Sequence, residues 1–230
     1  MLYAVGDIHG ETEHLERLLG RIRSDAMAAG ILRPRVVFVG DYGDRGPDSR
    51  GIYNRLTSPE LRAEIDPVFL MGNHEDWLLD TLDRRPVDTA MWLHNGGAEL
   101  VESYGFDFKQ PPHLVLPKFI LAFPPRHKAF LQGLKYSHAE DGFLFVHAGI
   151  DPGNPKGREP SILFWVRKPF LECEDVWPWV VVHGHTPGSE VVVRPNRICV
   201  DTGCGHKPTD RLSAAVLEGG RLLRVLDSTA

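Results

Sequence analysis

Five short apolar runs in this 230-residue chain end in Asp, Asn or His set beside glycine. Residues 2–5 lead into Gly6-Asp7-Ile8-His9-Gly10, residues 36–39 into Gly40-Asp41-Tyr42-Gly43-Asp44-Arg45-Gly46-Pro47, and residues 68–71 into Gly72-Asn73-His74-Glu75. Residues 143–146 lead into His147-Ala148-Gly149 and residues 180–182 into His183-Gly184-His185-Thr186. Asp, Asn and His are oxygen and nitrogen ligands suited to Mn, Fe or Zn, and with no cysteine among them a structural zinc site is disfavoured. Glycine lets the backbone turn sharply and a ligand approach closely. Two divalent ions among so few carboxylates keep a positive charge, which a phosphate dianion and a bridging hydroxide would balance. That sum points to phosphoester chemistry. One Asp or His after a strand is ordinarily a turn or cap residue; five in register define a candidate site.

The runs read as buried strands, and in open α/β folds chemistry collects at the carboxyl ends of strands. Leu15, Leu18, Leu19, Ile22 and Ala26 share one face of a helix after the first run, with charged residues largely off it. Residues 75–82, 89–103 and 126–133 also have helical character. Strands crowd the last third, at 190–194, 198–200, 212–217 and 221–226, separated by Pro195-Asn196 and Gly219-Gly220 turns. The expectation is an α/β chain with a partly antiparallel sheet, organised as one domain over residues 1–230. The segments at 110–112, 124–125 and 151–155 read as surface loops.

Composition narrows the function classes. Lys plus Arg number 26 against 31 Asp plus Glu, a formal net charge of −5, so no overall basic field draws the chain to nucleic acid or an anionic membrane. No stretch approaches the about 18 apolar residues of a membrane span, and residues 1–7 lack the pattern of a signal peptide. Three cysteines without metal-finger spacing argue for a reducing compartment. A cytoplasmic protein with neither nucleic-acid nor membrane partners is expected. There is no phosphate-loop lysine motif, no dinucleotide fingerprint, no H-E-x-x-H helix and no G-x-S-x-G elbow.

The ordered series GDIHG, GDYGDRGP, GNHE, HAG and GHT, spanning residues 6–186, resembles the phosphoprotein phosphatase branch of the calcineurin-like metallophosphoesterases. Within it the chain is similar to the bacterial and bacteriophage lambda type of Ser/Thr phosphatase, which shares motifs with symmetrical diadenosine tetraphosphate hydrolases. The resemblance implies a layered sandwich of two mixed sheets flanked by helices (αββα). It implies a phosphomonoesterase acting on phosphoserine or phosphothreonine, and also phosphotyrosine, in a phosphoprotein or phosphopeptide substrate, by in-line attack of a hydroxide bridging two metals. The alternative is hydrolysis of dinucleoside polyphosphates. The implied cofactors are two divalent ions, Mn2+ first, with Fe, Zn or Ni as alternatives; no oligomeric state is implied.

Residue by residue, the resemblance assigns Asp7 and His9 to the first metal, Asp41 to both, and Asn73, His147 and His185 to the second. Arg45 and Arg167 would bind phosphate with Asn73 beside them, since a planar guanidinium fork suits its oxygens. His74 would be the general acid, oriented by Asp44 so that a carboxylate keeps its proton available. His183, before the glycine, is expected as a strand-end hydrogen-bonding residue, and His14, His94, His113, His127, His138 and His206 as solvated or capping residues. Gly43 stands where the family often has a bulkier residue, which would add backbone freedom beside Asp44 and Arg45. Residues 92–97, Trp-Leu-His-Asn-Gly-Gly, either line the cleft or end a helix.

Overall fold

The computed structural model describes residues 1–86, 88–206 and 210–229. Two five-stranded sheets face each other. The first is built from β1 (Leu2–Val5), β2 (Arg35–Phe38) and β3 (Asp66–Phe69), all parallel, joined through the helices α1 (Thr12–Ala28), α2 (Ser49–Leu56) and α3 (Pro59–Glu64). The helices α4 (Asn73–Leu82), α5 (Thr89–Trp92), α6 (Ala98–Ser103), α7 (Pro112–Ala122) and α8 (Pro125–Gln132) lead to the second sheet. There β4 (Ser137–Glu140) pairs antiparallel with β5 (Phe143–Val146), and after α9 (Pro160–Trp165) come β6 (Val180–His183), β7 (Val192–Val193) and β8 (Arg197–Cys199). The strands β5, β6 and β8 run parallel. The chain then returns to the first sheet as the hairpin β9 (Ser213–Glu218) and β10 (Arg221–Asp227), with β9 antiparallel to β1.

Side-chain alternation explains the layering. In β1, Leu2 and Ala4 enter the space between the sheets with Val37, Val39, Val68, Phe143, Phe145, Val182, Ala215 and Leu217, while Tyr3 and Val5 face the helices. The expected stripe Leu15, Leu18, Leu19, Ile22 and Ala26 of α1 is fully buried on that outer face. Leu144, Val146 and Val181 do the same for the second sheet, against Leu163, Phe164 and Phe170. The two mixed sheets with helices outside match the architecture the motif resemblance implied. Among the described residues no helix is long and apolar enough to cross a membrane.

Two expectations need correction. Pro111-Pro112 and Pro124-Pro125 are helix starts rather than loops, because proline's fixed φ and missing N–H suit the first helical position. The helix expected over 89–103 is broken: Asn95 and Gly96 leave helical backbone, Gly96 at φ 110°, between α5 and α6.

Candidate metal centre

All parallel strands of both sheets end on one rim, which is why residues distant in sequence meet there. Asp7, His9, Asp41, Asn73, His74, His147 and His185 are all buried. Ligand atoms of His9, Asp41 and His74 lie within 4.8 Å of one another, as do those of Asp41, His147 and His185. Asp41 belongs to both groups. Its Oδ2 is 3.7 Å from His9 Nε2 and 3.4 Å from His147 Nε2. Asn73 Oδ1 lies 2.9 Å from both His147 Nε2 and His185 Nδ1. Asp7 Oδ2 accepts the backbone N–H of His185 at 3.0 Å, a bond across the two sheets.

The imidazoles are aimed by their other nitrogen. His9 Nδ1–H donates to the Gly43 carbonyl at 3.0 Å and His147 Nδ1–H to that of Val39 at 2.9 Å, which turns both Nε2 atoms into the cluster. His9, Asp41, Asp44, Arg45 and His185 all have positive φ, between 47° and 66°. Such backbone costs about 1 kcal/mol or more per residue and persists only where its surroundings enforce it. The enforcement is visible at Glu75, whose carboxylate accepts the backbone N–H groups of Asp41 (2.8 Å), Tyr42 (2.8 Å) and Gly72 (3.2 Å) and the Tyr53 hydroxyl (3.3 Å). Gly184 permits the close approach: a Cβ there would stand 2.0 Å from Asp7 Oδ1.

The charge balance fits cations. Burial, then Asp201, push the Asp7 carboxyl well above its ordinary range, and burial raises Asp201 to about 6. Burial opposes charge on His147, but Asp41 and Asp7 outweigh it and push its pKa up to about 9. Burial also works against the Asp41 carboxylate; His147 and His74 foremost among its neighbours reverse that and hold it well below the usual range. His185 is driven down to about 3 by burial and His147, so its ring is neutral and free to ligate. Among the described residues Asp7 Oδ1 and His185 Nε2 are buried with no hydrogen-bond partner. Buried carboxyls that keep their protons, a proton shared by His147 and Asp41, a neutral His185 and the orphaned Asp7 Oδ1 and His185 Nε2 are what divalent ions would satisfy, by displacing the protons and supplying the missing partners.

His74 Nδ1–H donates to Asp44 Oδ2 at 2.6 Å, and Trp92 Nε1–H donates to the same oxygen at 3.0 Å. Burial lowers the His74 pKa, yet Asp41 and Asp44 together raise it above the ordinary value. Arg45 lies against His9 Nε2 (2.8 Å), His74 Nε2 (3.2 Å) and His206. Arg167 is exposed at the rim, its Nη2 donating to the His185 carbonyl at 3.2 Å. His183 is buried at the end of β6, with Nδ1 on the Gly184 carbonyl at 3.0 Å.

Four residues escaped the sequence reading in part. Asp201 ends β8 as the other aspartates end their strands, so the same strand-end rule applied a sixth time finds it. Trp92 neither lines an open cleft nor caps a helix; it is fully buried and holds Asp44. His206 is half-buried, its ring meeting His9 edge-on at 5.7 Å and its Nε2 facing Arg45. His127 is fully buried between Tyr104 and Asn54. Gly43 sits in a close-packed spot, where a Cβ would come within 2.9 Å of both Leu100 Cδ1 and the Tyr53 hydroxyl.

A two-sheet sandwich with buried Asp, Asn and His at its shared rim defines a metal-dependent phosphoesterase class. The chain belongs to the calcineurin-like phosphoesterases, whose family model matches residues 2–226. It is 27% identical over 228 residues to the asymmetrical bis(5'-nucleosyl)-tetraphosphatase PrpE of Oceanobacillus iheyensis, covering 89% of this chain and 85% of that one. It is 36% identical over 96 residues to serine/threonine-protein phosphatase 1 of Salmonella typhimurium, covering 42% of this chain and 38% of that one. A crystal structure described provisionally as a diadenosine tetraphosphatase shares the fold at a TM-score of 0.68 and 24% identity, covering 98% of this chain and 92% of the other.

Proposed function

We propose that this calcineurin-like phosphoesterase hydrolyses dinucleoside polyphosphates, cutting a phosphoanhydride bond of the polyphosphate bridge. One observation carries the choice of substrate. Likeness to a tetraphosphatase extends over 89% of the chain, whereas likeness to a Ser/Thr phosphatase covers 42%. The relative's asymmetrical cut is preferred to the symmetrical one read from the motifs.

Asp7, His9 and Asp41 would hold one divalent ion and Asp41, Asn73, His147 and His185 the other, Mn2+ being the first choice for so oxygen- and nitrogen-rich a set. Such a pair supplies Lewis acidity and a water acidic enough to attack phosphorus near neutral pH. Arg45 and Arg167, with Asn73 nearby, orient phosphate oxygens, and His74, held by Asp44, gives its Nε2 proton to the departing oxygen. That buried acid favours a second reading, a phosphatase for phosphoserine, phosphothreonine or phosphotyrosine in proteins, because the alkoxide leaving groups of the first two need a proton most.

The test is one substrate panel on Mn-loaded protein: diadenosine tetraphosphate beside phosphopeptides. Release of ATP with AMP supports the proposal, and release of ADP alone moves the cut to the centre of the bridge. Inert diadenosine tetraphosphate with hydrolysed phosphopeptides establishes the second reading instead.

A further inference from the structure

Two indoles stand at the edge of the histidine cluster with no part in the chemistry above. Trp77, three residues after His74 on α4, has its ring centroid 5.4 Å from that of His74, at 78° between planes. Trp165, the last residue of α9, lies 4.7 Å from Trp77 at 65° and 6.1 Å from His185 at 82°. Both are half-buried, unlike Trp92. Helix α4 has its buried anchors in Leu78, Leu79 and Leu82, and Trp77 and Trp165 pack against the same core only in part, leaving each ring half-exposed. The two rings come from opposite sheets, one after β3 and one after β5. Together they wall one side of the rim, from the candidate acid to a candidate metal ligand.

We propose that Trp77 and Trp165 form a stacking wall for the purine base of the nucleotide whose phosphate reacts. In an edge-to-face pair one ring contributes only its edge, so its faces stay available to a third aromatic. A base tethered to the reacting phosphorus through a ribose reaches a ring placed immediately beyond His74. Stacking also suits a hydrolase for dinucleoside polyphosphates, because every base offers a π-face regardless of its hydrogen-bonding edge. A phosphoserine side chain offers none. The inference rests on the dinucleotide reading, yet it is tested by binding and not by turnover.

Titration calorimetry of Mn-loaded protein with AMP and with ribose 5-phosphate isolates the base, because the two ligands share sugar and phosphate. AMP should bind about tenfold or more tightly than ribose 5-phosphate. In the Trp77→Leu, Trp165→Leu double variant that ratio should collapse towards one while ribose 5-phosphate binds as before, within about twofold. Trp77→Phe should keep most of the ratio. If the double variant also loses ribose 5-phosphate, Trp77→Leu alone must still lower the ratio for the inference to stand. Equal binding of both ligands to the wild type overturns it, as does a ratio that survives the substitutions. A gain for phosphotyrosine over phosphoserine with none for AMP also overturns it, assigning the wall to aryl phosphates. An AMP preference without diadenosine tetraphosphate turnover refutes the proposed reaction and leaves the wall standing; turnover without the preference refutes the wall alone.

Discussion

Trp92 and His74 share one acceptor: the indole N–H at 3.0 Å and the imidazole Nδ1–H at 2.6 Å both end on Oδ2 of Asp44. The indole thereby helps to hold the carboxylate that orients His74, the proposed acid. Trp92→Phe keeps the ring in the core and removes the N–H. The variant should retain its metal and lose about 1–2 kcal/mol of stability. Its kcat on diadenosine tetraphosphate should fall several-fold with KM little changed. Chemical denaturation and steady-state kinetics read both effects, and an unaltered kcat would show that Asp44 needs no second donor.

His74→Asn should keep the metal and lose rate, by about 10²- to 10⁴-fold on substrates with poor leaving groups. The loss should be much smaller on p-nitrophenyl phosphate, whose leaving group departs without a proton. Equal losses on both substrates would remove His74 from the acid role.

Asp41 reaches both ligand groups through one carboxylate, so Asp41→Asn should abolish metal binding and activity together. Elemental analysis gives the first and the substrate panel the second. Saturating Mn2+ should raise the melting temperature of the wild type, since a ligand at 100 times its Kd adds about 2.7 kcal/mol. The variant should show no such rise.

His127 gives stability a pH dependence away from the metal cluster. The Tyr104 hydroxyl meets its Nδ1 at 2.8 Å, and Asn54 Oδ1 at 3.2 Å and Arg126 Nε at 3.4 Å both meet its Nε2, so both ring nitrogens are engaged. Burial, with Arg126 and Arg50 adding to it, pushes its pKa down to about 4, whereas an unfolded histidine titrates near about 6.5. Between those values the unfolded chain takes a proton that the folded chain refuses. Stability is therefore full above about pH 6.5 and is lost as pH falls towards about 4, on the order of 2–3 kcal/mol from this group. Urea unfolding at pH 5 and pH 7.5 should show His127→Gln losing less between the two than the wild type does.

The strand-end pattern made the site legible because parallel strands of a layered fold deliver their carboxyl ends to one rim. A local motif and its spatial neighbours thus coincide for Asp7, Asp41, Asn73, His147 and His185. What stayed hidden depends on three-dimensional packing. Trp92 is 48 residues from Asp44 in the chain, and nothing in a Trp-Leu-His-Asn-Gly-Gly string says which carboxylate its indole will meet. Strand β4 was missed because Ser137–Glu140 is half-exposed edge without an apolar run. Helix α7 was missed because Pro117 lies inside it, a residue that local propensity reads as a break.

The left-handed backbone at His9, Asp41, Asp44, Arg45 and His185 has a further consequence for the portability of these motifs. A short peptide carrying Gly-Asp-Tyr-Gly-Asp-Arg would relax into ordinary extended or helical backbone and scatter its side chains. The motif letters thus act only on a scaffold that enforces this backbone. Grafting them onto another α/β protein would require the Glu75 clamp on the Asp41 turn and the buried Trp92 behind Asp44 to travel with them.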